Sequence, residues 1–270
     1  MDTFFAANRA NWDERADIHA EDVTGAYAIE RFLAGEDVLF PIEAAEIGEI
    51  AGCNLLHLQC HIGIDTLCLV RRGARATGID FSPQALAHAR MLAGKSGLEA
   101  RFVEGNVYHA PGIAGVDFDM VYTTWGTIVW LPDIRGWAKV VAACLRPGGK
   151  LYYADTHPSL AVLEEVGGKL EPTFNFRTPS TVPLEFAAGP TYTGDPRVLT
   201  GPSFEWIHPM SDILNALIEA GLSVSWVHEH EALPFRMFPM MVQGDDRLWR
   251  LPKGVPRLPL SLTLEAVKPG

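Results

Sequence analysis

Residues 54–80 read NLLHLQCHIGIDTLCLVRRGARATGID, two short apolar segments joined by an amphipathic one. The first apolar segment predicts a strand that ends in a loop at 61–63, and the second, 74–80, predicts a strand that ends in an acid. The residues between them carry apolar side chains at helical spacing and stop at Gly73. A strand, a helix and a second strand in this order predict two neighbouring strands of a parallel sheet.

The same alternation continues on the C-terminal side of this unit. A helix at 82–97 follows, with Ser82 suited to its N-cap. The next elements are predicted as three strands and one helix, namely strands at 100–106, 117–124 and 150–156 and a helix at 133–149. Such alternation predicts an α/β fold with a doubly wound, Rossmann-like parallel sheet. The loops that follow its strands then lie at one edge, where ligands bind.

The regular alternation breaks after Asp155. Residues 157–207 are rich in Pro, Gly and aromatic residues and lack a long helical period, which predicts an inserted antiparallel cap over the sheet edge. The pattern resumes with one helix and two strands, at 211–222, 224–230 and 261–267. We therefore predict an N-terminal helical lid, 1–50, and a core domain, 51–270, that carries the cap.

The composition limits the classes of partner. Of the 270 residues, 48% are hydrophobic and 20% are charged, as in a soluble globular chain. The formal net charge of −11 argues against a nucleic-acid partner. The chain has no apolar run near the ~20 residues of a membrane helix, and its acidic start does not resemble a signal peptide. Four cysteines without a CxxC pair predict reduced thiols. We expect a cytoplasmic protein with no membrane partner.

Histidine and cysteine residues gather at two points of the chain. His57, Cys60 and His61 flank the first loop, and His228 and His230 share one side of a late strand. Neither group has the ligand spacing typical of a zinc site. No metal is predicted.

Asp80 ends the second strand, 21 residues after Gln59 at the start of the first loop. In nucleotide-binding sheets an acid at about this distance, roughly 20 residues, accepts hydrogen bonds from the vicinal hydroxyls of a ribose. The alternative is that Asp80 only caps the helix that follows, a role for which Ser82 competes. Because the loop and the acid occur in one strand–helix–strand unit, the pattern favours ribose binding.

Two adenosine-bearing cofactors suit this arrangement, a nicotinamide dinucleotide and S-adenosylmethionine. A dinucleotide needs three glycines so that its pyrophosphate can approach the backbone, whereas this loop keeps Gly63 and has Gln59 and His61 at the other positions. S-adenosylmethionine has no phosphate, so a loop with fewer glycines can hold it. Asn106, at the end of the third strand, could accept a hydrogen bond from an adenine amino group or could simply form a turn. The loop therefore favours S-adenosylmethionine.

From about residue 54 to residue 155, and more loosely to the C-terminus, the chain resembles the class I S-adenosylmethionine-dependent methyltransferases. The motifs that carry the resemblance are LLHLQCHIG, GIDFSPQAL, ARFVEGNVYHAP, FDMVYTTWGTIVWLPDI and LRPGGKLYYAD. The resemblance implies a seven-stranded, mostly parallel sheet with an antiparallel C-terminal strand. An acid is usual where His57 stands, and glycines where Gln59 and His61 stand. This LQCHxG variant is similar to the first motif of a bacterial, small-molecule subgroup.

The resemblance also implies a set of residues that bind S-adenosylmethionine. They are Gln59, His61 and Gly63 for the methionine part, Asp80 for the ribose, Phe81, Asn106 and Val107 for the adenine, and Trp125 for the sulfonium. The last of these has a physical reason, since a sulfonium is a cation and an aromatic ring attracts cations. Trp130 and Trp137 are expected in the core.

Methyl transfer from a sulfonium is an in-line displacement, so the protein mainly aligns the reactants and excludes water. A hydroxyl or a protonated amine as nucleophile would also need a base. His157, after the fifth strand, and His208, before the 211–222 helix, are the candidate bases, although each also suits a cap or a structural hydrogen bond. Tyr27 in the lid and Trp206 in the cap are candidate substrate-binding residues.

The predicted function is methyl transfer from S-adenosylmethionine to a small-molecule acceptor through an oxygen, nitrogen or carbon nucleophile. One alternative is a protein that binds S-adenosylmethionine without catalysis, because the first loop departs from the common pattern. A second, less favoured alternative is an NAD-dependent oxidoreductase. The sequence leaves a homodimer open.

Overall fold

The computed structural model describes residues 2–270. The strands are β1 (Asn54–Leu58), β2 (Arg75–Asp80), β3 (Arg101–Glu104), β4 (Phe118–Thr124), β5 (Leu145–Thr156), β6 (Leu163–Val166), β7 (Lys169–Pro172), β8 (Leu184–Phe186), β9 (Ser203–Glu205), β10 (Ser223–His230), β11 (Val242–Gln243), β12 (Trp249–Arg250) and β13 (Ser261–Val267). The α-helices are α1 (Asp2–Glu21), α2 (Ile29–Leu33), α3 (Pro41–Glu46), α4 (Ile64–Arg71), α5 (Pro83–Ser96), α6 (Ala110–Ile113), α7 (Ile134–Cys144) and α8 (Met210–Glu219). Two 3-10 helices lie at Val107–His109 and Ile128–Trp130.

Seven strands form the central sheet, in the order β3-β2-β1-β4-β5-β13-β10. The first five of these run parallel to one another, and β13 is antiparallel to both β5 and β10. The predicted seven-stranded, mostly parallel sheet with an antiparallel C-terminal strand is therefore confirmed. Ser82 caps α5 as predicted, because its Oγ accepts a hydrogen bond from the N–H of Ala85 at 3.0 Å.

The sheet is buried on both faces, which explains why its strands read as nearly continuous apolar runs. In β1, Leu55 joins the apolar layer formed with α4 and α5, whereas Leu56 and Leu58 join the opposite layer with α7 and α8. Trp137 of α7 is fully buried in this second layer, as expected for a core residue. A third apolar cluster lies under the segments that follow β5 and β10.

The order of the strands fixes where a ligand can bind. From β1 the chain proceeds outward through β2 and β3, and from β4 it proceeds outward on the other side through β5. β1 and β4 are therefore neighbours whose following loops diverge, and such a switch point opens a crevice at the carboxyl ends of the strands.

Helix α1, here called the lid, and two antiparallel hairpins, here called the cap, lie at this edge of the sheet. The lid packs on α5 and on β9. Asn8 joins it to the cap through two hydrogen bonds of 2.8 Å with the backbone of Phe204. The cap hairpins are β6–β7 and β8–β9. Directly after β9, the backbone N–H of Trp206 donates to the carbonyl of Val129, in the segment that follows β4, at 2.7 Å. The division into segments 1–50 and 51–270 stays a prediction.

No helix between residues 2 and 270 has the length and the apolarity that crossing a membrane requires.

His57 provides a test of how burial affects stability. Its imidazole is buried in β1, with Nδ1 2.8 Å from Oγ1 of Thr66, and burial lowers its pKa to about 3. The folded protein therefore keeps His57 neutral, whereas in the unfolded chain the imidazole has its ordinary pKa of 6.5. Since the unfolded chain binds the extra proton, this residue makes the folded state less stable as the pH falls from about 6.5 toward about 3.

We expect the free energy of unfolding to fall by about 2 kcal/mol more in the parent protein than in His57→Gln when the pH drops from 7 to 5, at about 1.4 kcal/mol per pKa unit. Urea unfolding at the two pH values measures this difference. Every other titrating group is common to both proteins, so its contribution cancels. Parallel losses in the two proteins would contradict the prediction.

Candidate active site

The loop between β1 and α4 has a strained backbone. Gln59 and His61 have φ angles of 57° and 50°, in the left-handed region that non-glycine residues rarely adopt. Such residues cost of order 1–3 kcal/mol each and cluster at functional sites. Gly63 has a φ of 74°, and a Cβ there would lie 2.7 Å from the Cβ of Ala89, so only glycine suits this position.

The carboxylate of Asp80 fastens this loop to the end of β2. Oδ2 accepts the N–H of His61 at 2.8 Å, and Oδ1 accepts the N–H of Ser82 at 2.9 Å. Burial raises the pKa of Asp80 to about 6, although these backbone hydrogen bonds act in the opposite direction. A carboxylate has about four lone-pair sites, so two remain for a ligand. Because Ser82 serves as the N-cap of α5, Asp80 is not needed for that role.

A second strained loop follows β4, and a second buried carboxylate holds it. Trp125 has a φ of 58°, and the next two residues donate their N–H groups to Asp155, from Gly126 at 2.7 Å and from Thr127 at 2.9 Å. The two loops are joined by Gln59, whose Nε2 donates to the carbonyl of Thr127 at 2.9 Å. Burial raises the pKa of Asp155. The acid was visible in the sequence, but its role as a support for this loop was not.

A cavity of about 370 Å³, here called the crevice cavity, lies at these two loops. Six of the eight residues predicted to bind the cofactor line it, namely Gln59, His61, Gly63, Asp80, Phe81 and Trp125. Tyr27, predicted to bind substrate, also lines this cavity. Most of the predicted cofactor-binding residues thus lie at the wall of one ligand-sized cavity, and their roles stay a prediction.

A second cavity of about 550 Å³, here called the cap cavity, lies between the sheet edge and the cap. Trp206 and His208 line it, as does Trp130, which we had expected in the core. Six residues belong to the walls of both cavities, namely Trp12, Trp125, Gly126, Trp130, Tyr192 and Phe235. The two cavities therefore adjoin at a largely aromatic boundary beside the end of β4.

Comparison with known proteins identifies the part of the chain that builds the crevice cavity. The family model described as "Methyltransferase domain" matches residues 55–149. Residues 55–149 form a methyltransferase domain. This stretch includes β1, the strained loop, Asp80 and the loop after β4. The match agrees with the class I, S-adenosylmethionine-dependent methyltransferases that the sequence motifs resemble.

Curated relatives of this methyltransferase domain agree in class. A ubiquinone biosynthesis O-methyltransferase from Cronobacter sakazakii is 33% identical over 112 residues, which cover 41% of this chain and 45% of that protein. A protein of the same description from Nitrosococcus oceani is 34% identical over 108 residues, which cover 39% of this chain and 44% of that protein. The chain thus spans less than half the length of these relatives.

Solved structures share the fold over a longer stretch. An S-adenosylmethionine-dependent methyltransferase from Mesorhizobium loti superposes with a TM-score of 0.58 at 21% identity, and covers 87% of this chain and 99% of that one. Another from Clostridium acetobutylicum has a TM-score of 0.57 at 15% identity, with 85% and 89% covered. These likenesses show that the methyltransferase fold extends beyond residue 149.

The polar groups of the crevice cavity fit S-adenosylmethionine. Four buried polar atoms of lining residues have no hydrogen-bond partner among the residues described, namely Oε1 of Gln59, Nδ1 of His61, Oγ1 of Thr124 and Nε1 of Trp125. An amide oxygen can accept from the ammonium group of the methionine part, and the free lone pairs of Asp80 can accept from two ribose hydroxyls. The aromatic ring of Trp125 suits a sulfonium. The residues present thus fit the ammonium group, the ribose and the sulfonium of the cofactor.

Asn106 and Val107 lie away from the walls of the crevice cavity. Oδ1 of Asn106 accepts the N–H of Tyr108 at 3.0 Å and so caps the 3-10 helix, and Val107 is buried in the apolar layer around α7. The turn that the sequence left open is thus what Asn106 forms. Adenine binding by these two residues stays a prediction.

A chain of hydrogen bonds connects the lid to the first loop of the methyltransferase domain and to the cap. Nδ1 of His19 lies 2.8 Å from Nε2 of His61 and 3.0 Å from the hydroxyl of Tyr27, which also contacts the hydroxyl of Tyr192. Burial lowers the pKa of His61 to about 3 and that of His19 further still. Both imidazoles are therefore neutral near pH 7, and the chain of hydrogen bonds joins the lid, the first loop and the cap without a buried charge.

The two candidate bases, His157 and His208, differ in their positions relative to the two cavities. His208 lines the cap cavity, but its Nε2 lies 2.7 Å from the carbonyl of Leu131, which anchors the ring to the 3-10 helix segment. His157 belongs to the wall of neither cavity, and its two ring nitrogens lie 2.7 Å from Oγ of Ser159 and 3.0 Å from Oε1 of Glu229. Both histidines thus make the structural hydrogen bonds that the sequence left as their alternative role.

A metal site was considered at the histidine and cysteine clusters. Within residues 3–270, whose side chains the structure describes, no three His, Cys, Asp or Glu side chains are grouped so that they could hold a metal ion. All four cysteines are free thiols.

Proposed function

We propose that this protein transfers a methyl group from S-adenosylmethionine, bound in the crevice cavity, to an oxygen atom of a small molecule bound in the cap cavity. The observation that carries the proposal is the boundary that the two cavities share at the end of β4. A donor and an acceptor on opposite sides of this boundary would bring their reacting atoms together, as an in-line displacement requires.

Each part of the chain has a task in this reaction. Bound S-adenosylmethionine would supply an electrophilic methyl group on a sulfonium with a good leaving group. Asp80 would hold the ribose, Gln59 and His61 the methionine part, and Phe81 one face of the adenine. Trp125 would face the sulfonium from the loop that Asp155 holds. The lid and the cap, which cover the boundary, would exclude water from the reacting atoms.

Two observations support oxygen as the methylated atom and a small molecule as the acceptor. The curated relatives are named as O-methyltransferases, although the matched stretch does not include the cap cavity. The cap cavity, about 550 Å³, has the volume of a small-molecule pocket and a predominantly apolar and aromatic wall. Trp206 forms part of this wall, with its indole N–H donated to the carbonyl of Ser180 at 3.1 Å. The net charge of −11 is unsuited to a nucleic acid.

The proposal is tested by cofactor binding first and by turnover second. We expect S-adenosylhomocysteine to bind to the purified protein in calorimetry with one site per chain, and NADH to show no binding in a fluorescence titration. Incubation with S-adenosylmethionine and a metabolite extract should then give a product that mass spectrometry detects as heavier by one methylene unit. Failure to bind S-adenosylhomocysteine would refute the proposal. Binding without any methylated product would favour a non-catalytic binding protein.

A further inference from the structure

The cap cavity has an almost entirely apolar wall, so its few charged side chains indicate what it binds. Apart from the phenol of Tyr192, six ionisable residues line it, namely Arg15, Asp155, Glu164, Glu165, Glu205 and His208. Four of these are already accounted for. Asp155 and His208 are engaged with the backbone as described above, Oε2 of Glu165 accepts the N–H of Met240 at 2.7 Å, and Glu164 is exposed at the rim. Arg15 and Glu205 remain.

Arg15 presents a guanidinium with free donors to this cavity. Its Nε donates to Oδ1 of Asn11 at 2.7 Å, and its guanidinium carbon lies 5.3 Å from the ring centre of Trp12 and 5.7 Å from that of Trp130. Both tryptophans belong to the walls of both cavities, and their rings hold the guanidinium, which belongs to the wall of the cap cavity alone, beside the boundary. Among the side chains described, those of residues 3–270, no carboxylate pairs with it, and neither Nη group donates a hydrogen bond. A half-buried guanidinium whose Nη groups have no acceptor can bind an anion.

Glu205, the last residue of β9, presents a carboxylate to the same cavity. In the part of the chain that the structure describes, neither of its oxygens forms a hydrogen bond or an ion pair. Burial raises its pKa to about 7, and the nearby charge of Arg15 acts in the opposite direction. The two opposite charges thus influence each other without making a contact. Each retains hydrogen-bonding capacity that a single ligand could satisfy.

We propose that the methyl acceptor is an aromatic hydroxy acid whose carboxylate is bound by Arg15 and whose hydroxyl donates a hydrogen bond to Glu205. This inference rests on the proposed function and names the substrate class of its acceptor cavity. A guanidinium binds a carboxylate through two parallel hydrogen bonds, which a neutral group cannot form equally well. The aromatic side chains around the pair, among them Trp206, Phe174 and Phe186, suit an aromatic ring.

The test measures, by calorimetry, the affinity of candidate acceptors for the full protein saturated with S-adenosylhomocysteine. This product carries no transferable methyl group, so the candidate acceptors bind without reacting. The probes are 4-hydroxybenzoate, 4-hydroxycinnamate and 6-hydroxy-2-naphthoate, each beside its carboxamide. We expect at least one acid to bind at least ~10-fold more tightly than its amide, since hydrogen bonds to a charged group are the stronger kind. Arg15→Gln should remove this preference for the acid. Arg15→Lys, which keeps the positive charge but cannot form the two parallel hydrogen bonds, should reduce the preference.

Arg135→Gln is the matched control, because Arg135 is exposed on α7 and pairs with Glu219 at 2.8 Å, outside both cavity walls. It should keep the full preference for the acid. Cinnamate, which lacks the hydroxyl, should bind more weakly than 4-hydroxycinnamate to the parent protein, and Glu205→Ala should abolish that difference.

The inference is overturned if none of the three acids binds, if acid and amide bind equally well, or if both Arg15 variants keep the parent's preference. Binding of S-adenosylhomocysteine is measured in every variant before the probes are added. A parent protein that binds S-adenosylhomocysteine but not the acids would refute the acceptor class alone. A parent protein that does not bind it would refute the proposed function instead.

Discussion

Asp155→Ala is expected to lower the free energy of unfolding by about 3–5 kcal/mol, the range seen when one partner of a buried charged network is removed. The carboxylate is 1% exposed and accepts three backbone N–H groups, those of Gly126, Thr127 and Thr156, at 2.7 to 2.9 Å. Alanine would leave these donors buried without an acceptor. The loop that carries Trp125 in its strained conformation would also lose its support. Urea unfolding at pH 7 measures the effect.

Two further variants sharpen this experiment. Asp245→Ala removes an exposed carboxylate and should change the free energy of unfolding by less than about 0.5 kcal/mol. Asp155→Asn keeps one acceptor oxygen in place and should fall between the parent and Asp155→Ala. If Asp155→Ala were as stable as Asp245→Ala, the carboxylate would not be what holds the loop.

Asp80→Ala is expected to weaken the binding of S-adenosylhomocysteine by at least ~100-fold, because two hydrogen bonds to a charged group contribute about 1.5–3 kcal/mol each. The two lone-pair sites of the carboxylate that the backbone leaves free are those proposed to accept the ribose hydroxyls. The same substitution frees the N–H of His61 and so loosens the loop that lines the crevice cavity. Calorimetry with S-adenosylhomocysteine measures the change in affinity.

Asp80→Asn separates the two contributions. Its amide oxygen can still accept the N–H of His61, so the loop keeps one support while the negative charge is lost. We expect its affinity to lie between those of the parent and Asp80→Ala, with a far-UV circular dichroism spectrum like that of the parent. An Asp80→Ala protein that binds S-adenosylhomocysteine within threefold of the parent would remove the ribose contact from the proposed function.

The crevice cavity was predictable because local sequence encodes it. Each strand of the parallel sheet is a short apolar run, and the residue at its carboxyl end reaches the ligand edge whatever the rest of the chain does. Asp80 and Gly63 could therefore be named from their positions after strands, whereas Trp125 was named from the family resemblance. Asn106 shows the limit of this reasoning, since the end of a strand also begins a turn and the turn uses its side chain.

The cap cavity was much harder to predict. Arg15 and Trp12 lie on a lid helix whose polar residues carry no pattern that says which of them face solvent and which face a cavity. Glu205 reaches the cavity only because the β8–β9 hairpin docks beside the end of β4. Trp130 lies in the 3-10 helix that comes after β4, where its sequence position did not distinguish a core residue from a cavity residue. These placements depend on contacts between segments far apart in the chain.

The six residues common to both cavity walls give donor and acceptor a shared set of contacts. A ligand bound in one cavity would fix the positions of these rings for a ligand in the other cavity. Binding of either ligand would then change the affinity for the other, and thermodynamic reciprocity makes this change the same factor whichever of the two binds first.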